Sequence, residues 1–373
     1  MRSFEFLTEL EEKPGFFRGA KVKAPADPKV SQVQSTITNQ VQNIFDIDEL
    51  NQIYSYIRKM DLGGGFDEIF SKDIDLKQVQ TTLSKAIIDA KAPFEDKMAF
   101  AKEIVTKGII DVDALLTSGE TKNITDLVKT QFPGIYENIA GELMNIAGSF
   151  KSGNTKTNRG KGEFFLAILS PEITLSKTGH GDLTIRGNGY EVKDNMARIK
   201  GRKGYGSTDQ VRQEVIEEVT KFVTEQEKKN PQTPLAGKTF SVGVGAKQNF
   251  WTEFGPLAIQ GGADAASVVN FVKSLWTKTI KSLFLGVSKD QLESVSPFDQ
   301  RGVLNFSAIH APMKALAFDY YKTADKFQGV LFVNSAKMTI TYIETADQFV
   351  QKIGVMKYGF EPGAQNGMQV KTP

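Results

Sequence analysis

Residues 160–206 constrain this chain more than any other stretch. They read GKGEFFLAILSPEITLSKTGHGDLTIRGNGYEVKDNMARIKGRKGYG. From Asp182 to Arg186 polar and apolar side chains alternate, the pattern of a half-buried strand. Gly187-Asn188-Gly189 follow, and Gly and Asn tolerate the positive φ of a tight turn. Tyr190-Glu191-Val192-Lys193 resumes the alternation. Together these pieces predict a β-hairpin. Glu191 and Lys193 lie two apart on its second strand, so they share a face. Asp182 opens the first strand, beside the end of the second. Two carboxylates and one ammonium group are therefore expected on one small patch.

Clustered carboxylates repel each other unless a cation or a proton separates them. Oxygen ligands suit a hard divalent ion, and Mg²⁺ keeps several waters beside one or two carboxylates. A lysine next to such an ion can orient a bound water or stabilise charge growing on a phosphate. Asp182, eight intervening residues and then Glu191-Val192-Lys193 resemble the signature of the PD-(D/E)xK nuclease superfamily. That family includes type II restriction enzymes, junction resolvases and many phage nucleases. The resemblance covers about residues 160–244, and Gly181 stands where the motif has proline. It implies an α/β (α+β) fold with a restriction-endonuclease-like core of α-β-β-β-α-β order. In that fold a mixed central sheet is flanked by helices, here preceded by a helical N-terminal region. It also implies Mg²⁺-dependent hydrolysis of DNA, with Mn²⁺ as a possible substitute ion. Asp182 and Glu191 would hold the metal, helped by the Val192 carbonyl. Glu163, on the preceding helix, would complete the site or bridge to a second ion. Lys193 would position the attacking water.

With 46 basic and 44 acidic residues, net charge carries no affinity for nucleic acid, so local patches must supply it. Residues 151–161, KSGNTKTNRGK, hold four cations and no acid and lead into Glu163. A second basic run, Arg198 to Lys203, follows the hairpin, and its glycines let the backbone approach phosphate. Lys161, Arg198, Lys200, Arg202 and Lys203 are the expected DNA contacts. There is no cysteine, and His180 and His310 are the only histidines. Thiolate zinc sites and histidine-rich metal sites are thereby excluded. No phosphate-loop lysine pattern accompanies Gly243 and Gly245, which disfavours ATP binding.

Four domains are expected: a tail and linker at 1–28, a helical domain at 29–150, the nuclease-like domain at 151–359 and a flexible tail at 360–373. Apolar spacing predicts helices over 76–90, 93–107, 110–116, 124–132, 208–229, 264–285, 312–326 and 346–353. Strands are expected at 239–244, 329–334 and 338–344, the last two as edge strands. FFLAIL, after Glu163, is apolar on all sides and predicts a buried helix. No run is apolar enough to span a membrane, and the N-terminus lacks a signal-peptide core. The opening MRSFEFLTELEE resembles the N-termini of proteins from T4-like phages. In some of their internal head proteins such a segment targets the prohead and is cut after Leu-x-Glu, a pattern met at 7–9 and 10–12. That resemblance implies a place in the host cytoplasm or the virion, with phage head components as further partners; a homodimer also stays open. The alternative to a nuclease is a non-catalytic phage structural or internal head protein on a nuclease-like fold.

Overall fold

The structure is a computed structural model that describes residues 47–57, 76–129, 131–149, 161–176, 180–194, 197–200, 208–242, 249–357 and 367–371. The N-terminal Leu-x-Glu segment, the linker, the loop at 151–160, Arg202 and Lys203 lie outside these residues. The chain forms two compact units, residues 1–52 and 53–373. Of the first unit, residues 47–52 are described, and they are helical.

The principal helices of the second unit are α1 (Leu76–Asp89), α2 (Phe94–Thr106), α3 (Pro133–Ser149), α4 (Lys161–Leu169), α5 (Thr208–Lys229), α6 (Ala265–Leu283), α7 (Phe306–Asp325) and α8 (Ala346–Lys352). Strands β1 (Thr121–Asn123), β2 (Ile173–Leu175), β3 (Leu183–Ile185), β4 (Asn188–Asp194), β5 (Arg198–Lys200), β6 (Gly329–Asn334), β7 (Thr339–Ile343), β8 (Gly354–Lys357) and β9 (Gly367–Lys371) complete it. Six strands make a mixed sheet in the order β1-β7-β6-β4-β3-β2. β4 and β6 run parallel, and the other neighbours are antiparallel. A smaller sheet has the order β5-β9-β8.

Helices cover both faces of the large sheet, because the side chains of β4 and β6 alternate between two cores. Val192, Leu331 and Val333 join a core with Leu83 and Ile87 of α1, Phe100 of α2, Ile139 of α3 and Phe164 of α4. Val330 and Phe332 join the other, with Val215 of α5, Trp276 of α6, Met313 and Tyr321 of α7 and Phe349 of α8. In the parallel register Glu191 lies beside Val330, and Lys193 beside Phe332. Both charged residues therefore enter the second core, and Val192 enters the first.

A mixed central sheet flanked by helices, with helices before it, matches the expected fold class. Several local expectations need correction. Of the strand expected at 239–244, the described residues 239–242 form only an isolated bridge, from Ser241 to Asn249. The strand parallel to β4 is instead β6, which lies inside the sheet and is buried at every position. β7 is interior too, because β1 pairs outside it. Of the helix expected at 124–132, a single 3-10 turn forms (Ile124–Leu127), and Pro133 starts α3 instead. α7 begins at an Asn305 cap, which accepts from Ala308 N at 3.2 Å, so Pro312 sits inside the helix rather than at its start. Arg198 to Lys200, which open the second basic run, form a strand, since part of the expected flexible tail returns as β9 to pair with it. Among the described residues no helix is long and apolar enough to cross a membrane.

Phe332 is almost fully buried, and its ring lies 6.1 Å from that of Phe349. Phe332→Ala should lower stability by about 3–5 kcal/mol, read as a lower urea midpoint with an unchanged slope. A loss below about 1 kcal/mol would contradict the packing of this sheet face.

Candidate active site

The hairpin forms as expected, with its turn one residue earlier. Leu183 pairs with Tyr190 and Ile185 with Asn188. The turn is Arg186-Gly187, with φ of 49° and 85°. Two positive φ angles give the turn handedness that suits strand twist. Arg186 is an unfavourable residue there, but its side chain is held outside the turn. Its guanidinium donates to Glu172 and to Asp113, each at 2.5 Å. The bond from Arg186 holds the Asp113 carboxyl below its usual range.

The backbone at Gly181 excludes proline. Its φ is 77°, and a Cβ there would stand 2.5 Å from the Tyr190 carbonyl oxygen. Proline, locked near −65°, cannot adopt this backbone. The tight approach lets Asp182 N–H donate to Tyr190 O at 2.8 Å. It also brings the Asp182 side chain to the next free backbone donor. Val192 N–H donates to Asp182 Oδ2 at 2.9 Å.

That bond fixes where the Val192 carbonyl points. A strand residue sends its N–H and C=O to the same side. The β3 ladder ends at Tyr190, so the main-chain groups of Val192 face the space just past it, beside Asp182. Lys193 Nζ reaches into this space. It donates to Glu191 Oε1 and, at 3.2 Å, to Val192 O, and it stands 3.8 Å from Asp182 Oδ2. One cation is thus surrounded by three oxygens of three residues. From α7, Tyr321 O–H donates to Glu191 Oε1, and the Lys193 ammonium lies 5.6 Å from the centroid of the Tyr321 ring.

Two carboxylates against one ammonium leave one negative charge in a largely buried place. Burial, and next the Glu191 charge, push the Asp182 carboxyl up to about 6 against the pull of Lys193. Burial draws Lys193 down, but the Glu191 and Asp182 charges outweigh it and hold its ammonium above the usual range. Burial, then the Glu191 charge, raises the Tyr321 phenol far above its ordinary value.

The structure gathers Asp182, Glu191, Val192 and Lys193 into this group. Glu163 is buried near the start of α4, and its charge helps hold the Lys193 ammonium. Among the described residues no three His, Cys, Asp or Glu side chains are grouped to hold a metal. Of the expected DNA contacts, Arg198 is exposed on β5, Lys200 ends that strand and Lys161 opens α4. Tyr321 was not foreseen. A signal existed, since Tyr321 continues the stripe of Ile309, Met313 and Ala317 on α7, and a buried phenol needs an acceptor.

In comparison with known proteins the chain matches no family model, no curated protein and no solved structure.

Two outcomes follow from this geometry. Gly181→Ala puts a methyl into the Tyr190 carbonyl at a positive φ, so it should cost more than about 1 kcal/mol. Gly181→Pro should cost more still, because proline cannot reach a positive φ. Wild-type melting of either protein would refute the close approach. The second outcome concerns pH. Asp182 has a folded value above its unfolded value of about 3.9, so its contribution is fully present below that value and is lost as pH rises through about 6. Asp182→Asn keeps an acceptor for Val192 N–H without the charge. In chelator it should melt above the parent at about pH 8 and level with it at about pH 4. A parent melting at or above the variant at the higher pH would contradict the assigned charge balance.

Proposed function

We propose that the chain is a metal-dependent endonuclease that hydrolyses phosphodiester bonds of DNA at Asp182, Glu191 and Lys193. The observation that carries this reading is the convergence of Asp182 Oδ2, Glu191 Oε1 and the Val192 carbonyl on one cation, the Lys193 ammonium. The donor set fits a hard divalent ion. It is all oxygen, it mixes carboxylate with carbonyl, and it carries an excess negative charge. The residual charge of the four residues is what a further cation would neutralise. The resemblance of Asp182 and Glu191-Val192-Lys193 to the PD-(D/E)xK signature supports the same chemistry.

Asp182, Glu191 and the Val192 carbonyl would hold Mg²⁺. Bound there, the ion supplies Lewis acidity and lowers the pKa of a coordinated water. The chain's own residues do the rest. Val192 N–H holds the Asp182 carboxylate where the β3–β4 ladder ends. Lys193, kept charged by its neighbours, orients the attacking water and stabilises negative charge on the phosphoryl oxygens. In the hydrolysis the water oxygen forms a bond to phosphorus and one ester P–O bond breaks. One proton of the water passes to bulk solvent, and the leaving oxygen takes one from solvent. Glu163 acts through the field at Lys193, outside a one-ion ligand set. Basic residues at Lys161, Arg198 and Lys200, with Arg202 and Lys203 beyond, would hold the DNA backbone without reading sequence.

The test is nicking of supercoiled plasmid with and without Mg²⁺. Asp182→Ala and Lys193→Ala should each lower the rate by orders of magnitude, about 10²-fold or more. DNA binding should persist in both. Glu163→Ala should lose less than Asp182→Ala. Well-folded Asp182→Ala and Lys193→Ala proteins that cut at the parent rate would remove the hairpin from catalysis. A parent protein that never cuts, under any divalent ion, would favour a non-catalytic phage head protein instead.

A further inference from the structure

We infer that Tyr321 is a positioning residue of this site, setting the direction of Glu191 through its hydroxyl and of Lys193 through its ring. The inference rests on the proposed ion site at Asp182 and Glu191. It draws on a residue of α7, 130 positions from Glu191 in the chain.

Three observations carry it. The first is the shared acceptor. Tyr321 O–H and Lys193 Nζ both donate to Glu191 Oε1. A carboxylate held on one oxygen by two donors must break both bonds to swing about its last torsion. The second is the ring. The Lys193 ammonium lies within cation–π reach of Tyr321. Should an ion displace the ammonium from the three oxygens, the ring face gives it a place beside them. The third is the rigidity of the phenol itself. Tyr321 is almost fully buried, and Phe327 meets its ring edge-on at 5.0 Å and 72°. A residue locked by packing that bonds a candidate ligand does what outer partners of metal ligands do: it fixes orientation and raises affinity.

The substitution that isolates the hydroxyl is Tyr321→Phe, which keeps the ring and its volume. The probe is Mg²⁺ itself, titrated by calorimetry into the full chain without DNA. Tyr321→Phe should bind Mg²⁺ more weakly, on the order of tenfold. Phe327→Leu disturbs the same packing but keeps the hydroxyl, so it should bind Mg²⁺ like the parent. In plasmid nicking, the loss in Tyr321→Phe should be recovered in part by raising Mg²⁺, which a general loss of structure would not allow. Parent-like Mg²⁺ binding by Tyr321→Phe, where Asp182→Ala has lost it, overturns the role of Tyr321 and leaves the ion site standing. Equal losses in Phe327→Leu and Tyr321→Phe reduce the effect to packing and also overturn it. A parent that binds no Mg²⁺ overturns the ion site and this inference together. If Tyr321→Phe does not fold, the parent labelled with 3-fluorotyrosine serves instead. At least one of its nine tyrosine resonances should move as Mg²⁺ saturates the site; none moving overturns the inference.

Discussion

A single ammonium group keeps the centre of this protein together. Asp182 comes from the loop before β3, and Glu191 from the middle of β4. Without a positive charge between them, two carboxylates in so buried a place would repel each other or take up a proton. Lys193 supplies that charge from the same strand as Glu191. The arrangement needs the strand period, because Glu191 and Lys193 must share a face while Val192 between them packs into the opposite core. A slip of one residue would exchange the faces and turn both charges into the apolar core that now holds Val192. The Arg186-Gly187 turn and the tight passage at Gly181 fix the register against that slip.

β4 is the wall between two interiors as well as the carrier of the charged pair. On one side α4 presses so close that a Cβ on Gly162 would touch Val192 at 3.2 Å. On the other, α7 sends Tyr321 to Glu191. Such a strand must be hydrophobic on one face and tolerate charge on the other, and that charge survives burial only through its partners. The Val192 and Tyr321 donors and the Lys193 ammonium divide that work among main chain, phenol and amine.

The hairpin was legible in the sequence because every signal for it is local. Alternation from Asp182 to Lys193, a glycine-rich turn and the i, i+2 rule need no knowledge of the rest of the chain. The turn fell one residue off because Asn188 and Gly189 look like turn residues, whereas the ion pairs of Arg186 that support its positive φ come from Asp113 and Glu172. The long amphipathic helices α5 and α6 were legible for the same reason as the hairpin. What stayed hidden was long-range. β6 reads as any short apolar run, and nothing local says that it lies inside the sheet against β4. The β5–β9 pair joins residues about the 200th position to the 367–371 stretch, so each half alone looked like a loop or a tail. Tyr321 was hidden likewise, being one aromatic among the many on a buried stripe.

The separation of Tyr321 from Glu191 also bears on the order in which the molecule is built. The β3–β4 ladder closes over a two-residue turn and can form within microseconds once its strands exist. Its parallel neighbour β6 and the α7 tyrosine arrive only after more than a hundred further residues, and such distant pairings are slow to close. During synthesis at about 5–20 residues per second, the carboxylates and the lysine are made seconds before the tyrosine that braces them. For that interval the charged face of β4 has water, rather than α7, as its neighbour. The contacts that bury the charged face and direct its carboxylate thus depend on the last-made part of the sheet and on α7.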